Sequence, residues 1–146
     1  MTLIRTETQA ALNDLFMALT RSEDDYRAAA EQLEDQAAAD FLCAIASKRQ
    51  SLAQRVERAI RAEGGLPSEP DPDLKAGEQL LQMLGPLMAD DKTREVFQQR
   101  LDADRELLDY MECEDLSALE GSHGELKSEC RHHLEESLTW LEKRLQ

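Results

Sequence analysis

Aromatic side chains make up only 4% of this 146-residue chain, and β-branched residues are also sparse. Strands draw on both classes, so their shortage argues against sheet architectures. Positive charge is scarce as well, with 17 Lys and Arg against 31 Asp and Glu, a formal net charge of −14. A phosphate backbone and an anionic bilayer both repel such a surface, and no basic stripe interrupts it. Neither nucleic acid nor a membrane is therefore an expected partner. No apolar run approaches the roughly 20 residues of a membrane span. Met1 to Gln9 lacks the basic start and apolar stretch of a signal peptide, so a cytoplasmic location is expected. The cysteines Cys43, Cys113 and Cys130 are scattered and show no CxxC spacing, which predicts reduced thiols rather than metal–thiolate ligands.

What is abundant points one way. Ala, Leu, Glu, Gln and Arg dominate, all strong helix formers, and the length suits one domain with a single core over 1–146. The fold expected is all-α. Thr6 with Gln9 reads as a capping box opening a helix over about 7–33. Glu34-Asp35-Gln36 is a short connection to a second helix over about 37–63, stopped by Gly64-Gly65 and followed by Pro67, Pro70 and Pro72. A shorter apolar segment covers about 74–88. Asp90 or Asp91 caps a helix over about 91–111, and Ser122 with Glu125 forms a second capping box before a helix over about 123–145. Two hairpins joined by a long crossover fit a ferritin-like antiparallel four-helix bundle better than an up-down-up-down bundle, which uses short loops throughout.

At about 100° per residue, each long stretch carries an apolar face. Leu12, Leu15, Phe16, Leu19, Tyr26, Ala30 and Leu33 share the first, and Leu42, Ile45, Ala46, Ala53, Val56 and Ile60 the second. Phe97, Leu101, Leu108 and Met111 form the third, and Cys130, Leu134, Leu138, Leu141 and Leu145 the fourth. Glu23, Arg49 and Asp104 fall inside the first three faces, while His133 and Ser137 flank the fourth. Antiparallel hairpins put these groups at similar levels. A buried polar layer of Glu23, Tyr26, Arg49, Asp104 and His133 is expected, with Arg49 serving Glu23 and Asp104 together. Slightly rotated helices would instead let these side chains reach water.

The phrases Leu12-Asn13-Asp14-Leu15, Asp25-Tyr26-Arg27-Ala28-Ala29-Ala30-Glu31 and Arg61-Ala62-Glu63-Gly64-Gly65-Leu66-Pro67 resemble a small bacterial ferritin-like family catalogued as a domain of unknown function. The resemblance covers most of the chain and implies a ferritin-like fold. Active ferritin-like di-iron proteins supply a Glu from each of two helices and a Glu-x-x-His pair from each of the other two. Glu23 and Asp104 match the single-carboxylate positions. The second helix departs from the pattern, because Ser47-Lys48-Arg49-Gln50 offers neither Glu nor His. Glu129-Cys130-Arg131-His132 matches the pair as a string but faces away from the apolar stripe, and the residue three before His133 is Cys130.

The function expected is a non-enzymatic, partner-binding or stress-associated module with a degenerate metal centre and no cofactor. The stress link comes only from the resemblance. The alternative is an oxidoreductase or iron-handling protein holding iron or another divalent metal through Glu23, Asp104 and His133, with Tyr26 nearby. Leu80, Leu81, Met83, Leu84, Leu87 and Met88 cover more than one side of the crossover segment, so it is expected to cap the bundle end or lie along a groove, with a homodimer through it as the alternative.

Overall fold

Thr6 opens the first helix, α1 (Glu7–Glu31), with the reciprocal cap its sequence predicts. The Thr6 hydroxyl accepts from the Gln9 amide, and the Gln9 side chain accepts from the Thr6 amide, each at 3.0 Å. The computed structural model describes residues 5–69 and 87–146, and among these there is no strand. α1 ends two residues earlier than expected. The amides of Gln32 and Leu33 reach back three residues, to Ala29 and Ala30, which tightens the last turn and closes the helix. Asp35 caps α2 (Gln36–Ala62) by accepting from the Ala38 amide.

Gly64 ends α2 for a backbone reason. At φ +80° it adopts a left-handed conformation, which lets its own amide bond Arg61 and the Gly65 amide bond Ile60. The chain beyond is pinned to α1 by the Ser68 amide, which donates to the buried Asn13 side chain at 2.8 Å. Most of the expected 74–88 helix, including Leu80, Leu81, Met83 and Leu84, lies outside the described residues. Leu87 packs half-buried on the core, and Met88 is exposed.

Two expected caps do not form. α3 (Ala89–Met111) starts after Met88, so Asp90 and Asp91 lie within its first turn, where carboxylates still favour the positive end of the helix. α4 (Gly124–Leu145) starts after His123 with no side-chain cap, and Ser122 with Glu125 makes no capping box. The backbone supplies the partners here instead, since the His123 amide bonds the Leu119 carbonyl. That carbonyl belongs to a 3-10 helix, Glu114–Leu119, in the connection between α3 and α4. Its Leu116 and Leu119 are fully buried and pack beneath α1.

α1 packs chiefly on α2, and α3 on α4. Their inward residues form two apolar clusters. One holds Leu12, Leu15, Leu19, Leu52, Val56, Ile60, Met111, Leu126 and Leu134, and the 3-10 helix closes it. The other holds Ala29, Leu42, Ile45, Ala46, Val96, Phe97, Leu101 and Leu141. Burying such a side chain contributes about 1.5–3 kcal/mol, so these clusters hold the fold. Polar side chains separate them, and each must find its partners inside the protein.

Candidate functional site

Each helix sends one polar turn into the gap between the clusters. α1 brings Ser22 and Tyr26, α2 brings Arg49, α3 brings Asp104, and α4 brings His133 and Ser137. Arg49 is fully buried and Asp104 is 1% exposed. Their contact is bidentate, Nη1 to Oδ1 at 2.6 Å and Nη2 to Oδ2 at 2.8 Å, the planar match that makes this ion pair strong. The second Nη1 hydrogen goes to Ser22 Oγ, the second Nη2 hydrogen to Ser137 Oγ at 2.9 Å, and Nε–H to His133 Nε2 at 3.3 Å. All five guanidinium hydrogens are thereby used.

Asp104 is equally occupied. Besides Arg49, its Oδ2 accepts from Tyr26 Oη at 2.6 Å and from Ser137 Oγ at 2.7 Å, with the Leu134 carbonyl sharing the Ser137 hydrogen. Burial and the Asp104 charge push the Tyr26 phenol well above its ordinary value, so it stays a donor. The Tyr26 ring also lies 4.8 Å from the Arg49 guanidinium and 5.5 Å from that of Arg100, both at cation–π range. Burial opposes the Arg49 charge, but its bonds to Asp104 outweigh this and raise its pKa.

His133 is 3% exposed. Because Arg49 Nε carries a hydrogen, His133 Nε2 accepts, which assigns the ring proton to Nδ1. Burial first, and then the Arg49 charge, push its pKa down to about 4, so the ring is neutral at neutral pH. It also lines a recess of about 390 Å³ between α2 and α4, with Lys48, Leu52, Ser128, Glu129, His132 and Glu136 around it.

Of the residues the sequence singles out, Tyr26, Arg49, Asp104 and His133 meet, and Glu23 does not join them. Glu23 instead bonds Arg27 Nε at 2.9 Å, one turn along α1, leaving Ser22 as the residue of that turn aimed at Arg49. Ser22 escaped the sequence reading although it is three residues after Leu19 and four before Tyr26. Ser137 sits deeper than a flanking position because α4 turns its His133–Ser137 side inward, leaving Leu138 and Leu145 only partly buried.

The layer does not fit a metal ion. Arg49 saturates Asp104 and places a cation at the centre, Glu23 is committed to Arg27, and His133 has one nitrogen protonated and the other bonded to Arg49. The Glu129–His132 string faces outward, with Glu129 paired to Arg55 and the exposed His132 3.0 Å from Glu136. Among the described residues, no group of three or more His, Cys, Asp or Glu is placed to hold an ion. Nucleophilic chemistry fits no better, since burial pushes the Cys130 thiol up to about 12 and keeps it protonated. No described helix is long and apolar enough to cross a membrane. No protein-family model matches the chain, and neither does any curated protein or solved structure.

Proposed function

We propose that this chain is a non-enzymatic four-helix module of ferritin-like arrangement, with an Arg49-centred ion network where di-iron members of that superfamily hold metal. The observation that carries this reading is the closure of the layer, in which the guanidinium hydrogens of Arg49 and both oxygens of Asp104 are bound to protein. A reaction or a resident ion needs an uncommitted acid, base or ligand, and this layer offers none. Arg49 supplies the charge neutralisation that a metal would supply to inward carboxylates. The long connection from α2 to α3 supports the crossover topology. The work left to such a module is binding another protein or a second copy of itself, and a stress-associated role rests on the ferritin-like resemblance.

Anaerobic iron(II) titration, with elemental analysis of protein purified without chelator, tests this reading. Metal far below one ion per chain is expected. About two ions per chain, lost in Asp104→Ala, would overturn it in favour of an iron-handling protein or oxidoreductase.

A further inference from the structure

The contact between Arg49 and His133 joins two groups that are both cations once the imidazole is protonated. His133 Nε2 is an acceptor only while the ring is neutral. A proton added at that nitrogen turns it into a donor facing another donor, Arg49 Nε, at 3.3 Å. The layer has no spare anion to absorb the new charge, because Asp104 already holds four hydrogen bonds and balances Arg49. Other charged groups act on the ring as well. Lys48 on α2 and His132 on α4 add to the repulsion from Arg49, and Asp104 on α3 opposes it. Tyr26 on α1 is held neutral, and Glu129 and Glu136 stand around the recess rather than in the layer.

The ring also borders the open recess between α2 and α4, whose rim carries the carboxylates of Glu129 and Glu136 beside Lys48 and His132. We propose that the Arg49–His133 contact is an acid-operated catch on the α2–α4 seam, released when His133 takes a proton at Nε2 and swings into the recess. Release leaves Arg49 Nε unpaired in the core. The bond to Ser137 then remains as the guanidinium's only direct link to α4. The sign follows from the depressed pKa, about 4 in the fold against an ordinary 6.5. Between these values the unfolded chain binds the extra proton and the folded chain does not, so the fold weakens as pH falls through this window. Below about pH 4 both forms are protonated and the loss is complete.

The chain carries its own reporter, since Trp140 is its single tryptophan and lies on α4 with its ring edge-on to Phe41 of α2, centroids 6.4 Å apart. Imidazole nitrogen shifts of the full chain, read by NMR from pH 7.5 to 3.5, give the tautomer and the titration of His133 together. The expected result is Nδ1–H His133 at neutral pH, titrating near 4 rather than at the ordinary imidazole value of 6.5. A red shift of Trp140 emission should share its midpoint, with helical circular dichroism retained. In His133→Gln, whose amide oxygen can still accept from Arg49 but cannot titrate, that emission step should disappear. Titration of His133 at the ordinary imidazole value of 6.5 would overturn the proposal, as would an unchanged emission step in His133→Gln or a protonation that leaves Trp140 unmoved.

Discussion

Arg49 and Arg55 sit on the same helix, and each pairs with a carboxylate on another helix, Arg49 with Asp104 and Arg55 with Glu129. In the first pair the side chains are 0% and 1% exposed; in the second they are 40% and 53% exposed. Water accounts for the difference in what each pair does. Around Arg55 it solvates either partner when the other is lost and screens their attraction, so such pairs contribute little. Arg49 and Asp104 are shut off from solvent, and the loss of one partner strands the other in the core. The inner pair therefore dictates how four helices meet, whereas the outer pair decorates a seam that other contacts already hold.

Breaking the inner pair should have the largest effect. Arg49→Ala is expected to destabilise the fold by about 3–5 kcal/mol in urea unfolding, because Asp104 is left charged among apolar clusters. An effect as small as that of a surface substitution would show that water reaches the layer. Removing both charges sharpens the point: Arg49→Met with Asp104→Leu should be markedly more stable than either single variant, since packing replaces a pair whose desolvation was costly. Additive losses in that double variant would mean that the pair itself, rather than the stranded charge, supplies the stability.

Tyr26→Phe comes next. It removes one of four hydrogen bonds on Asp104 and keeps the ring beside Arg49, so a loss of about 1–2 kcal/mol is expected by thermal or urea unfolding. Smallest is Arg55→Ala, for which the urea midpoint should stay within error of the wild type at both low and high salt. A clear shift at low salt would show that the outer pair does more than its exposure allows.

Much of this layer is legible from helical periodicity. Arg49 and Asp104 are read as inward because apolar residues bracket them three, four and seven positions away. Glu23 is misplaced by the same rule. It and Ser22 both lie between Leu19 and Tyr26, and a rotation of the helix by part of one residue step decides which enters. That rotation is set by packing against α2 and by the competing bond that Glu23 accepts from Arg27. His133 reads as peripheral because Leu138 and Leu145 draw the apparent stripe of α4 away from it. Only contact with the other helices turns that stripe.

Local chemistry determined the all-helical state, the Thr6 cap, and the stop at Gly64, since each depends on a few neighbouring residues and the conformations open to them. The remaining decisions required several helices at once. The start of α4 depends on a 3-10 helix whose leucines have somewhere to be buried. The proton of His133 sits on Nδ1 because an arginine from another helix claims Nε2. Which of two adjacent residues on α1 faces Arg49 follows from how tightly two helices pack. Hydrogen-bond partners and exclusion of water are properties of the assembled core, and no single segment of the chain carries them.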